Sequence, residues 1–419
     1  MYHEIPFGIS KRQFLGRSAC ISMNQYRQSP SDQKFNSVHD AARQNCRPPR
    51  SAYIHVPFCK YRCGYCDFAI VANRDDLVGD YLQAIATELS WLGEPREVDT
   101  LYFGGGTPSH LEAASLATLC ETVLRWHPLA TGYEWTVEAN PESLTADRVE
   151  ILAERGVTRL SVGVQSLDDA KLRSLERNHS RDDVLRSMEY AHAAGMQISI
   201  DLMFAAPGET LELWRQDLAT AIELVPDHIS TYGLTWEPGA AFTIRREKGL
   251  LRPLDEELER TMYDEAIDRL NAAGFEHYEV SNFAITGRRS RHNEVYWAGR
   301  EYFAAGPGAA RYVGGVRSTN HRSTTTYLKR IQAGESAIFE QEELTAAERA
   351  HELLVLGLRR LEGIDRDALA EATGFKLDEL AGPAISKFVE LGLLSDDGSR
   401  VKLTREGLFV SDGLWPELL

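Results

Sequence analysis

Of 419 residues only six are cysteine and six methionine, and no apolar run approaches the roughly 20 residues that a membrane-spanning helix needs. So few cysteines in so long a chain make no disulfide framework; they fit a reducing compartment, and their clustering suggests a metal. Basic residues are also scarce: 46 Lys/Arg stand against 62 Asp/Glu, a net charge of −16 that argues against bulk affinity for nucleic acid or anionic lipid. What is present is ordinary for a globular protein, with 43% hydrophobic and 26% charged residues. The length suits one large α/β domain plus a smaller one.

Residues 1–48 differ from the rest. The first 50 residues carry eight Lys/Arg against three Asp/Glu, show little periodicity and end in "RPPR". No apolar segment of a secretory signal is present, so a disordered extension is expected, with a true start at Met23 or a weak organelle-type presequence as alternatives. Cys20 and Cys46 lie here at no spacing that implies a shared ligand.

From residue 51 the chain alternates. β-rich runs at 51–56, 99–103, 134–139, 158–164, 197–204, 227–234 and 275–280 are separated by segments of helical period over 77–92, 111–126, 145–155, 181–194, 211–224 and 255–273. This alternation predicts parallel strands with crossover helices: a barrel, an open barrel or a doubly wound sheet. Polar or glycine-rich groups recur at successive strand ends. The cysteines follow the first run, "GGGTP" (104–108) the second, Glu138 ends the third, Gln165 follows the fourth and Asp201 lies in the fifth. α/β barrels build their active sites at that end.

"HVPFCKYRCGYCDFAI" (55–70) sets Cys59, Cys63 and Cys66 in one loop. Three thiolates so spaced suit an iron–sulfur cluster, whereas zinc would need a fourth Cys or His to close its tetrahedron. His55 is near in sequence but sits inside the strand. Three ligands on a four-iron cluster leave one iron open to a small molecule. Cys120, on an amphipathic segment, is expected to be buried and inert.

The triplet, with Tyr65 before its last cysteine, resembles the signature of radical S-adenosylmethionine (SAM) proteins. The resemblance implies a [4Fe–4S] cluster whose open iron is chelated by the SAM amino and carboxylate groups, and reductive cleavage to methionine and a 5′-deoxyadenosyl radical. It also makes "YFGGGTPS" (102–109) the stretch that meets the methionine amino group, although a GGG loop alone reads as a tight turn.

"AYIHVPFC", "YFGGGTPS", "VEANPE", "LSVGVQS", "LERNH", "DLMFAAPGET" and "VSNFAITGRRSRHNEVYW" together resemble the oxygen-independent coproporphyrinogen III oxidase family and, within it, the HemW haem-chaperone branch. That likeness covers about 51–315 in detail. It implies Tyr53, Tyr65, Gly105, Gly106, Thr107, Glu138, Gln165, Arg177 and Asp201 as SAM-pocket residues. Oxidases of the family carry a fourth cysteine two residues after the third; here that position is Phe68, which counts against porphyrinogen decarboxylation. "RHNEVYW" (291–297) matches the HemW branch, making His292 the candidate haem ligand, with Tyr296 and Trp297 flanking the macrocycle. The expected function is therefore a haem chaperone, with coproporphyrinogen oxidase as the alternative. Expected partners are haem, a haem-acceptor protein such as a membrane respiratory protein, and an electron donor such as a flavodoxin or ferredoxin. The expected location is cytoplasmic, peripheral to the membrane. Three departures from relatives stand out: Glu176 where glycine is usual, Ala205-Ala206 where Gly-Leu is usual, and Ala310 where histidine is frequent. The first two are expected to touch the SAM pocket.

The implied architecture is an open, TIM-type β/α barrel over 49–285, a haem-motif and connecting region over 286–344, and a smaller winged-helix-like domain over 345–419. The last segment reads as helices with Leu353, Leu354, Leu356 and Leu358 in core or interdomain contacts, then a hairpin from Leu394 to Leu403 around "DDGS". Its nine Lys/Arg against fourteen Asp/Glu are unsuited to DNA phosphates, so a lid or docking role is expected rather than transcriptional regulation.

Overall fold

The computed structural model describes residues 48–419. The expectations for residues 1–47, including Cys20, Cys46 and a start at Met23, lie outside the described residues.

Six parallel strands run in the expected order: β1 (Ser51–Val56), β2 (Val98–Gly105), β3 (Leu129–Ala139), β4 (Arg159–Gln165), β5 (Gln197–Phe204) and β6 (His228–Gly233). They are linked by α1 (Val78–Ser90), α2 (Ala113–Trp126), α3 (Ala146–Glu154), α4 (Asp169–Ser174), α5 (Arg181–Ala193) and α6 (Leu211–Glu223). The outer faces of the strands carry large apolar groups against these helices. Leu101, Phe103, Trp135 and Val137 are wholly buried, and each such side chain contributes about 1.5–3 kcal/mol on leaving water. In α1, Tyr81, Ala84, Ile85 and Leu89 fall at the three- and four-residue spacing that turns one face inward.

The seventh expected strand departs from the parallel series. After α7 (Ala241–Glu247) and α8 (Glu256–Ala272), β7 (Glu276–Glu279) turns back within two residues into β8 (Asn282–Ala284). So short a connection permits only an antiparallel hairpin, and β8, not β7, pairs with β6. The chain then forms α9 (Arg291–Trp297) and β9 (Phe303–Ala305), and β9 returns to pair parallel with β1. The sheet order is β9-β1-β2-β3-β4-β5-β6-β8-β7, with no ladder joining its two ends, so the barrel is open. The sheet thus extends past residue 285, and the stretch expected to connect supplies its other edge.

In the C-terminal segment a capping box of Thr345 and Glu348 starts the helix Ala346–Arg359. Leu354, Leu356 and Leu358 are buried there and Leu353 half-buried. Helices Arg366–Thr373 and Leu377–Glu390 precede the hairpin of Leu394–Asp396 and Arg400–Leu403, to which Ile364–Asp365 adds a third strand. Helix, helix and wing are as expected. Arg359 joins this segment to the fully buried Glu279 of β7 at 2.6 Å, and Arg405 reaches Asp264 of α8.

Candidate cluster and cofactor site

The cluster loop leaves β1 at Pro57, and its shape is fixed by a short parallel pairing of Phe58–Cys59 with Val71–Ala72. Between them Arg62 donates to the carbonyls of Cys66 (3.3 Å), Phe68 (3.2 Å) and Ile70 (2.9 Å), gathering three turns of backbone around one guanidinium. From above, the Phe242 N–H donates to the Gly64 carbonyl at 2.8 Å, and the Phe242 ring lies where any Cβ on Gly64 would fall, 2.2 Å away.

Next to this loop the end of β2 makes an unusually close approach. Gly105 has φ of +107°, and a Cβ there would meet the His55 ring at 2.4 Å. Gly106 donates to the Val56 carbonyl at 2.8 Å, and its own Cβ would overlap the backbone of Phe58. Only glycine fits either position. Thr107 then places its hydroxyl 3.4 Å from the Cys59 sulfur, while Asn140 donates to that hydroxyl at 2.9 Å.

Cys59, Cys63, Cys66, Gly105, Gly106, Thr107, Glu138, Gln165, Arg177 and Asp201, together with Tyr65, line one cavity at the C-terminal ends of the strands. Of the expected SAM residues only Tyr53 does not line it. The Tyr53 ring is buried below, its hydroxyl 3.1 Å from His55 Nδ1 and its face on Tyr102. β1 alternates, and Tyr53 points to the barrel interior two residues too early to reach the mouth. Glu138 is tightly placed: Tyr102 donates to Oε1 (2.8 Å) and the Gly105 N–H to Oε2 (2.9 Å). Arg177 crosses the cavity, donating to Asn140 Oδ1 (2.6 Å) and the Gly163 carbonyl (3.0 Å), with Nη1 3.5 Å from Cys63 sulfur.

The residues fit an iron–sulfur cluster with a polar co-ligand. The lining of this cavity holds these three cysteines and no histidine, and an iron–sulfur cluster takes one thiolate at each of its corners. His55 cannot complete a zinc site, since its ring nitrogens engage Tyr53 and the Ala69 carbonyl (2.9 Å), and burial pushes its pKa down to about 4. Burial pushes the metal-free Cys59 thiol up to about 12 and Cys66 to about 11, so loading a cluster releases protons from this loop. The buried Nε of Arg177 has no hydrogen-bond partner among the described residues, which leaves a cationic donor for a ligand.

The Radical SAM superfamily model matches residues 53–221, and the HemN C-terminal domain model matches 344–410. The heme chaperone HemW of Bacillus subtilis is 36% identical over 376 residues, covering 88% of this chain and 99% of that protein. The chain belongs to the HemW family. HemW of Escherichia coli K12 is 33% identical over 86% of this chain and 95% of its own length. The mouse mitochondrial radical S-adenosyl methionine domain-containing protein 1 is 34% identical over 88% and 86%. In fold the chain matches coproporphyrinogen III oxidase (HemN) of E. coli, with a TM-score of 0.79 over 91% of this chain and 93% of that one, at 19% identity.

Against this HemW-family background the departures acquire a physical meaning. Glu176 and Ala205 have φ of +56° and +62°, the left-handed region where glycine is at home. Both side chains are thus carried on a backbone conformation that glycine adopts most readily. Neither lines the cluster cavity. Glu176 instead pairs with Arg245 of α7, tying that helix down over the cluster loop. Gln165, which does line the cavity, also has positive φ, at +63°. Phe68 is half-buried and forms part of the cavity wall.

Residues 291–297 form α9, and its aromatic residues are packing groups here. His292 is fully buried. Its Nδ1 lies 2.9 Å from the Thr100 hydroxyl, its Nε2 2.8 Å from the Tyr296 hydroxyl, and its ring stacks on Tyr102. Both ring nitrogens are engaged by hydroxyls in this structure. Trp297 is buried against Tyr278, and Tyr296 meets Tyr302 edge-on at 4.7 Å. Sequence reasoning missed Asn140, Ser161, Gly163 and Tyr232 in the cavity wall. Asn140 follows β3 by one residue and Ser161 and Gly163 alternate along β4, so strand-end position was the available signal.

Proposed function

We propose that this chain is a haem chaperone of the radical SAM type. It holds a [4Fe–4S] cluster on Cys59, Cys63 and Cys66, takes SAM against Gly105, Gly106, Thr107, Glu138, Gln165, Arg177 and Asp201, and binds haem for delivery to an acceptor protein. Cluster and SAM bound together supply a one-electron reduction of a sulfonium. The protein's part is to accept hydrogen bonds at Glu138, to hold anionic groups beside Arg177, and to shut out water with Tyr65, Phe68 and Ile70 around the three thiolates. The observation that carries the reading is Phe68, an apolar wall residue where the resembling oxidases place a fourth thiolate; the HemW names of the relatives support it.

The acceptor is proposed to be a membrane respiratory protein, and the electron donor a flavodoxin or ferredoxin. No helix among the described residues is long and apolar enough to cross a membrane, and the proposed location is cytoplasmic, peripheral to the membrane. The test is an anaerobic comparison. Reconstituted protein with coproporphyrinogen III, SAM and reductant should give no protoporphyrinogen, while haem-loaded protein should pass haem to an apo-acceptor. Appreciable decarboxylation would instead establish the oxidase.

A further inference from the structure

Two of the three cluster-loop thiols are met by polar groups that a third residue holds in place. Thr107, two residues beyond β2, sets its hydroxyl 3.4 Å from the Cys59 sulfur, and Arg177, three residues beyond α4, sets Nη1 3.5 Å from the Cys63 sulfur. Asn140, the residue after β3, bridges them. Its Oδ1 accepts from Arg177 Nη2 at 2.6 Å, and its Nδ2 donates to the Thr107 hydroxyl at 2.9 Å.

Chemistry fixes the direction of each hydrogen bond in this belt. A guanidinium only donates, so the amide must turn its oxygen to Arg177 and its NH2 group to Thr107. The Thr107 oxygen then receives a proton from Asn140 and must aim its own proton elsewhere, and the Cys59 sulfur is the acceptor beside it. The amide is also held from behind. The Asn140 N–H donates to the Ser109 hydroxyl at 3.2 Å, and its carbonyl accepts from the Ser143 hydroxyl and N–H, both at 3.0 Å. Gly163 makes room: a Cβ there would fall 3.2 Å from Asn140 Oδ1, and the Gly163 carbonyl takes a further Arg177 donor at 3.0 Å. Thr107 and Arg177 are both buried, which strengthens these bonds relative to the same pairs in water.

We propose that Asn140 is a positioning residue for the cluster: it aims the Thr107 hydroxyl at Cys59 and the Arg177 guanidinium at Cys63, and thereby raises the potential at which the cluster accepts one electron. The electron comes from a low-potential one-electron donor, and no bond forms or breaks within the belt. The added negative charge spreads over the sulfurs, where O–H and N–H dipoles aimed at them stabilise the reduced form. Asn140 acts through its two neighbours.

The inference rests on the cluster assignment, and the test separates the two. Full-length protein is reconstituted anaerobically, its iron and sulfide are counted, and the cluster is titrated with titanium(III) citrate in the absence of SAM, following the EPR signal of the reduced form. At a fixed potential N140A should hold a ratio of reduced to oxidised cluster about tenfold below wild type, a fall of about 59 mV for one electron. N140D keeps an acceptor for Arg177 but has no N–H for Thr107 and draws the hydroxyl proton away from sulfur, so it should fall at least as far. T107V should also lower the potential, while T107S, which retains the hydroxyl, should keep it. In the T107V background N140A should lower the potential by less than it does in wild type, because one of its two routes is already gone. A purely structural amide would move cluster content or melting midpoint and leave these ratios alone. If N140A and N140D carry a full cluster at the wild-type potential, the inference fails and the cluster assignment stands. Should N140A not retain its cluster, the threonine pair decides: equal potentials for T107V and T107S overturn the inference. If wild type itself takes up no iron and sulfide, both fall.

Discussion

Lys171→Met tests how the cofactor end of the barrel is held. Lys171 lies on α4, between the end of β4 and Arg177, with its side chain 1% exposed. Its ammonium contacts Glu209 at 2.5 Å and Asp217 at 2.9 Å, and both carboxylates are buried. Asp217 also accepts from the Ser166 hydroxyl and Leu167 N–H, and Glu209 from the Ala206 N–H. One cation thus joins α4, α6 and the loops after β4 and β5. Methionine matches its stem but strands two buried carboxylates, and breaking a buried ionic cluster in this way costs about 3–5 kcal/mol. At about 2–4 °C per kcal/mol for a domain of this class, the melting midpoint at pH 7 should fall by about 10 °C. The loss should depend on pH. Burial raises the Glu209 pKa and Lys171 opposes the rise. A carboxyl raised in the folded state favours folding when protonated, and that stability is lost as pH rises through its folded pKa. Removing Lys171 steepens the loss, so the gap from wild type should widen between pH 5 and pH 8. SAM affinity should weaken as Arg177 loosens. Calorimetry of paired samples across that pH range is the assay. A midpoint within 2 °C of wild type, or a gap independent of pH, would refute the reasoning.

Three further outcomes are expected. Gly105→Ala, whose Cβ would strike the His55 ring, should weaken SAM binding at least about tenfold by equilibrium dialysis while the protein stays folded, the predicted loss following from displaced backbone at close approach. His292→Ala should lower the melting midpoint, because it leaves Thr100 and Tyr296 without their buried partner, at about 1–3 kcal/mol. It should leave the Soret position of bound haem unshifted; a shifted band would make that ring an axial ligand. Glu176→Gly should change stability by less than about 1 kcal/mol, since relief of positive φ offsets the lost, partly exposed pair with Arg245; a loss of several kcal/mol measured by denaturation would assign the ion pair a larger role.

The sequence carried the parallel half of the sheet because each strand is buried on both faces and reads as an apolar run, as in "QISIDLMF". It carried the cluster loop because three cysteines within eight positions have few other uses. The β7–β8 hairpin escaped because its sense depends on where α8 delivers the chain, which no local pattern records. β9 escaped because "FAA" is too short to register. His292 was legible as part of a motif but not as a packed group: burial depends on Thr100 and Tyr102, some 190 residues away in the chain. The glycine-like backbone at Glu176 and Ala205 was hinted at by resemblance alone, and only the φ values explain it.

The most direct test of the central claim is the iron and sulfide content of protein prepared without oxygen, set beside the single alanine variants of Cys59, Cys63 and Cys66. Wild type should carry about four iron and four sulfide per chain with broad visible absorption, and each of the three variants should lose both. Zinc in place of iron, or a full complement of iron surviving at any one of the three variants, would contradict it.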